Sequence, residues 1–206
     1  MPTDQDLSAP TIHVAPSPHV FSTSMTSRNM MRDVLIGLIP VVIAAFYFFG
    51  WLTFKQLFIC VISCMAAEAA FTALRKQPVH LNDLSAVVTG TILGLSLPAT
   101  APWYVGFIGS LVAMGVGKMV FGGLGMNIFN PAMVGRAFVM IAFAGDLAAS
   151  GYVDATAGID IMSQATPLTA FKQAGSSTPL SLLMLGQTNG SLGETSALAC
   201  ILREHR

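Results

Sequence analysis

Hydrophobic residues in this chain gather in long runs instead of alternating with polar ones. The two clearest apolar stretches occupy Val34 to Trp51 and Phe54 to Leu74, and a shorter one, Leu84 to Leu97, stops before Pro98 and Pro102. Two more follow, Trp103 to about Phe121 and Ala132 to about Ala149. A bilayer core about 30 Å thick takes about 20 apolar residues in a helix, so the longer runs predict transmembrane helices. The third run is short for a full crossing and predicts a tilted, broken or partly re-entrant span. A sixth apolar run begins at Glu194 but ends near Leu202, before Arg203-Glu204-His205-Arg206, which is too short to cross. The pattern predicts an all-α, polytopic membrane helical bundle with about five spans and an incomplete sixth. Its sections are a polar N-terminal segment (1–33), a transmembrane domain (34–150), a loop rich in Gly, Ser, Thr and Ala (151–190), and the start of a truncated sixth span (191–206).

Composition supports this picture. Of 206 residues, 53% are hydrophobic and 10% charged, whereas soluble domains carry roughly a quarter charged residues. Ten basic residues balance ten acidic ones, which offers no basic field for nucleic acid. The first 33 residues lack the apolar core of a cleavable signal peptide. Lys and Arg near span ends set the orientation. Arg28 and Arg32 precede the first span, Arg75 and Lys76 follow the second, Lys118 and Arg136 fall near the same side, and Lys55 opposes them. The N-terminus is thus expected in the cytoplasm and the 151–190 loop on the outer face, with Trp103 and Tyr104 as interfacial aromatics.

Few residues within the spans can carry chemistry. Glu68, in Ala66-Ala67-Glu68-Ala69-Ala70, sits inside the second span, where a carboxylate costs at least ~2.5 kcal/mol unless paired or hydrated. It reads either as an ion-path candidate, as a buried partner of Lys118 or Arg136, or as an acid that snorkels to the interface. Cys60 and Cys64 lie one helical turn apart without a histidine and read as small packing residues, not a metal or disulfide pair. With Cys200 they make too scattered a set for an iron–sulfur cluster. Two glycine-rich polar stretches, Asn82 to Gly90 and Phe121 to Ala132, read as tight turns or as broken-helix elements lining a cofactor pocket. Gly123 and Gly125 form no dinucleotide fingerprint, because no strand precedes them.

The blocks Ser17-Pro18-His19, Asn82 to Gly90, Phe121 to Ala132, Asp160-Ile161-Met162-Ser163-Gln164-Ala165-Thr166-Pro167-Leu168 and Gly193-Glu194-Thr195-Ser196-Ala197 occur in order along the chain. Together they resemble the Rnf/Nqr family: the D subunits of Rnf ion-translocating electron-transport complexes and the related B subunits of Na⁺-translocating NADH:quinone reductases. The compact Ser-Gln-Ala-Thr-Pro-Leu form of the loop motif resembles the Rnf branch more closely. The resemblance implies FMN linked through its phosphate to Thr166 by a separate flavin transferase, with Asp160, Ser163 and Ala165 as transferase recognition residues and no metal site. It also implies a second, non-covalent flavin in the intact two-repeat fold, of which this chain would be the first half. The expected partners are the other subunits of an Rnf-type complex, the flavin transferase and membrane lipid, in a bacterial inner membrane. The chain would serve as a subunit of a redox-driven Na⁺- or H⁺-pumping ferredoxin:NAD oxidoreductase, not as an enzyme alone. Broken helices and Glu68 suit a non-redox channel or secondary transporter equally well, and the short sixth run suits a non-functional remnant. The Thr166 motif is the feature that separates these readings.

Overall fold

The computed structural model of the chain describes residues 26–76, 83–148, 151–154, 159–163, 168, 171–172, 175, 179–185, 190–194, 196–197 and 201. Within them the protein is a helical bundle. Helix α1 (Ser27–Phe49) and α2 (Trp51–Leu74) are long and apolar enough to cross a membrane. The shorter apolar helices α3 (Ser85–Ser96), α4 (Trp103–Met114) and α5 (Pro131–Ala142) pack with them. Helix α2 is the central member and contacts α1, α3 and α4, while α5 rests on α3 and α4.

The surface identifies the solvent. Tyr47 is 83% exposed, Trp51 72% and Ile43 62%, and Trp51, Phe54 and Phe58 stack down the outside of α2 at 4.9 and 5.8 Å between successive centroids. In water such a face would drive aggregation; in lipid it costs nothing. The inward face of α2 has the opposite character, with Thr53, Gln56, Cys60, Ser63, Cys64, Ala67 and Glu68 falling on one stripe of the helix. Membrane helices associate through small and weakly polar residues, because lipid removes the apolar driving force between them. The bundle follows that rule. A Cβ on Gly90 of α3 would stand 2.6 Å from Val61 Cα of α2, and one on Gly135 of α5 would stand 2.5 Å from the Gly109 carbonyl oxygen of α4. Ser110 Oγ donates to the carbonyls of Gly106 at 2.8 Å and Cys60 at 3.2 Å, joining α4 to α2.

The ends of the elements carry the departures from hydropathy. Helix α1 begins at Ser27, not at Val34, because Thr26 caps it by accepting the Asn29 amide and the polar turns up to Asp33 are helical outside the apolar run. Gly50, at φ +53°, alone separates α1 from α2, and Thr53 Oγ1 donates to the Ala45 carbonyl across that corner. Helix α3 has 12 residues and rises about 18 Å, short of the bilayer core; the broken span is its form. Beyond it the chain extends, Pro98 forms an isolated antiparallel bridge with Ser191, and the Leu192 and Gly193 amides donate to the Leu97 and Leu95 carbonyls at 3.1 and 2.8 Å. Non-helical backbone inside a bundle is thereby satisfied. The fifth run divides at Phe143 into α5 and the short α6 (Ala144–Ala148).

The loop beyond residue 150 holds an antiparallel hairpin, β1 (Gly151–Asp154) with β2 (Ile159–Ser163), pairing Gly151 with Ser163 and Tyr152 with Met162. A short helix, α7 (Leu180–Leu185), comes later in the same loop. The run expected as a sixth span lies mostly outside the described residues.

Candidate functional site

The chemistry inside the bundle converges on α2. Glu68 stands between alanines, and Ala67, only 2% exposed, lets neighbouring helices approach closely. Glu68 itself is 5% exposed, so it does not snorkel to the interface. Its Oε1 accepts from Lys118 Nζ, and the same ammonium donates to Ser85 Oγ at the start of α3. Ser85 Oγ in turn donates to Asp83 Oδ1 at 2.9 Å, and the Ser85 amide reaches the same oxygen at 3.1 Å. Residues from three parts of the chain thus form one relay, Asp83–Ser85–Lys118–Glu68. Arg136, the other cation considered for Glu68, pairs instead with Glu194 at 3.3 Å, nearer the surface.

Local backbone places each member. Leu84 adopts a left-handed conformation (φ +61°), which turns the chain into α3 and lets the Asp83 side chain receive the Ser85 donors. Lys118 lies on a π-helical turn, Gly115–Met119, that continues α4 and closes with the Val120 amide on the Gly115 carbonyl. Single π-turns within α-helices widen the coil, shift the phase of the residues after them and recur at functional sites. Gly117 permits this turn to touch α5, since a Cβ there would stand 2.8 Å from Pro131 Cα. Arg75, at the end of α2, donates to the Met119 carbonyl at 2.9 Å and ties the turn to the basic end of the bundle.

The electrostatic arrangement is unusual for a stabilising pair. Lys118 is 2% exposed, yet Glu68 Oε2 is buried with no hydrogen-bond partner among the described residues. A buried ion pair offsets the desolvation of its charges only when the remaining lone pairs are satisfied. One carboxylate oxygen thus keeps its lone pairs unused among the described residues.

The other expected positions fall in different places. Asp160 and Ser163 lie on β2, with Ser163 at its last residue, while Ala165 and Thr166 lie outside the described residues. The flanking Leu168 and Phe171 are exposed, at 77% and 60%. The stretch from Phe121 to Ala132 is a turn with Gly122, Gly123 and Gly125 at positive φ, closed by Asn130 Oδ1 accepting the Ala132 amide to cap α5. Asn130 and Arg136 join Ser96, Ser191 and Glu194 on the polar side of a cavity of about 340 Å³ beside the broken end of α3. Cys60 and Cys64 are buried free thiols. Among the described residues no cluster of His, Cys, Asp or Glu could hold a metal ion. Sequence reasoning missed the role of Ser85 and Asp83, which lie in a stretch it reads as a tight turn or as a broken-helix element lining a cofactor pocket; Asp-x-Ser at a helix start is the signal it contains.

A profile of the NQR2, RnfD, RnfE family matches residues 13–203. The chain is 39% identical over 193 residues to the D subunit of the Na(+)-translocating ferredoxin:NAD(+) oxidoreductase complex of Acetobacterium woodii, covering 92% of this chain and 59% of that protein. It is 40% identical over 190 residues to the D subunit of the ion-translocating oxidoreductase complex of Citrobacter koseri, covering 77% of this chain and 54% of that protein. The corresponding subunit of Shewanella amazonensis is 38% identical over 185 residues, 53% of its length. The chain spans little more than half the length of these relatives.

Proposed function

Because the chain belongs to the NQR2, RnfD, RnfE family, we propose that it is a membrane subunit of an ion-translocating electron-transfer complex of the ferredoxin:NAD type. In this reading it carries FMN esterified to Thr166, and Glu68 stands on the route of the translocated Na⁺ or H⁺. The observation that carries the reading is a carboxylate held inside the helices with one oxygen on Lys118 and the other without a partner among the described residues. A membrane helix retains such a group at a cost of at least ~2.5 kcal/mol, which ion transfer repays in function.

Thr166 suits attachment by its chemistry and its place in the sequence. A threonine hydroxyl can form a phosphoester, and the residue lies just past the end of β2 in a stretch whose described neighbours Leu168 and Phe171 are exposed. An acceptor that must enter another enzyme's active site belongs on such a loop. Asp160, Ser163 and Ala165 would be read by the transferase. Bound FMN would supply the redox chemistry; the chain would supply the tether and the position. Arg28 and Arg32 at the start of α1 and Arg75 at the end of α2 support a cytoplasmic side at that end of the bundle, and with it an outer-face position for the Thr166 loop. Further subunits of the complex, the transferase and lipid are the partners this requires.

Thr166→Ala tests the reading. It is expected to abolish flavin fluorescence that survives a denaturing gel while the chain still inserts into membranes. Flavin retained by the variant overturns Thr166 as acceptor, and a chain never flavinylated beside an active transferase turns the reading towards a non-redox transporter. In a complete complex, Glu68→Gln is expected to leave flavinylation intact and impair ion transport; normal transport removes Glu68 from the route.

A further inference from the structure

The relay around Glu68 contains a cation of its own. Lys118 Nζ contacts the Glu68 carboxylate and Ser85 Oγ together, the two oxygens that a small monovalent cation would take as ligands there. Both cannot hold the position at once. A lysine suits temporary occupancy, because its ammonium is a compact point charge on a flexible four-carbon stem. Its backbone lies in a π-turn, flanked by Gly115 and Gly117. Ser85 Oγ already bonds the Asp83 carboxylate at 2.9 Å, so a second acidic partner lies one hydrogen bond further along the relay.

We propose that Lys118 is a tethered cation that competes with the translocated monovalent cation for Glu68 and Ser85, closing the site while docked and opening it on moving toward Asp83. Charge is accounted for in both states. With Lys118 docked, Glu68⁻ and the ammonium form a neutral pair, while Asp83⁻, held by Ser85, carries the remaining negative charge. As Na⁺ or a proton binds Glu68, the ammonium passes to Asp83⁻, and the three groups go from one net negative charge to none. Glu68 Oε2, buried and without a hydrogen-bond partner among the described residues, is the carboxylate oxygen that Lys118 leaves for the cation. The charged and titratable side chains packed around the exchange are Glu68, Lys118, Asp83 and Cys64. The inference rests on the reading that Glu68 lies on the ion route.

The test uses the complete complex in proteoliposomes. Sodium-dependent electron transfer is titrated at fixed pH, and the pH dependence is measured at fixed sodium, which separates Na⁺ from H⁺ as the competitor. Lys118→Met is expected to lower the half-saturating concentration of the coupling cation at least tenfold, in the sodium arm or in the pH arm. An unchanged half-saturation in both arms overturns the proposal. Should Lys118→Met fail to assemble, Glu68→Gln with Lys118→Met removes both charges and preserves a neutral core. That double variant is expected to assemble and to lose coupled transport; wild-type transport would make the pair structural and overturn the proposal. Normal transport by Glu68→Gln alone sinks the ion route itself. Loss of transport in Glu68→Gln beside unchanged half-saturation in Lys118→Met overturns only the competition.

Discussion

At the scale of single residues, charge inside the bundle is paired but incompletely satisfied. Removing one partner of a buried ion pair leaves the other uncompensated and costs about 3–5 kcal/mol, whereas removing both is often neutral. Lys118→Met is therefore expected to lower the melting temperature of the detergent-solubilised protein markedly, and the double variant with Glu68→Gln to recover most of the loss. Equal melting of the single variant and the parent protein would mean that Glu68 finds another partner. Glu68 was visible in sequence as an acid in an apolar run, and its cation was narrowed to Lys118 or Arg136. The choice between them was not legible, because it depends on the phase of a π-turn that hydropathy does not register. Ser85 and Asp83 escaped for a related reason: their role comes from a left-handed Leu84 that aims them at a lysine far along the chain.

At the scale of elements, close approach by small residues holds the helices together. Gly135 meets the Gly109 carbonyl where no Cβ fits. Gly135→Val is expected to part α4 from α5, cost about 1–3 kcal/mol and reduce the amount of folded protein recovered from membranes. Gly145→Val, with nothing within 4 Å of its Cβ position, is the control expected to behave as the parent. Thermal unfolding monitored in one detergent separates them, and equal melting would contradict the packing argument. The apolar runs located the helices well, since lipid imposes length and hydropathy directly. They misplaced boundaries where other forces act: at Thr26, whose cap starts α1 in the polar segment, and at Phe143, where the fifth run divides; the end of α3 they located to within one residue, but not the bridge of Pro98 with Ser191 beyond it. That bridge joins residues far apart in sequence, and no local pattern announces it. The hairpin of β1 and β2 was likewise not anticipated in a loop read by composition alone.

At the scale of the whole molecule, an apolar exterior surrounds an interior that combines apolar packing with small and polar residues. The Trp51–Phe54–Phe58 stack belongs to the exterior, and a charge there should oppose insertion by about 2.5–3.5 kcal/mol when placed near mid-membrane. Phe58→Arg is accordingly expected to reduce the membrane-integrated fraction in an alkaline extraction assay, whereas Leu168→Arg in the exposed loop should not; equal reductions would contradict the assignment of surfaces. Of the family blocks, those around Asp83–Ser85 and Phe121–Ala132 were legible because they lie at a helix start and a glycine turn, where backbone geometry restricts the residue. The central claim joins this membrane bundle to redox chemistry through Thr166. Its most direct test is the intact mass of the chain extracted from membranes that contain an active flavin transferase, beside Thr166→Ala prepared identically. The account predicts a mass gain of one FMN adduct in the parent chain and none in the variant; an unmodified parent chain, or an adduct that persists in the variant, would contradict it.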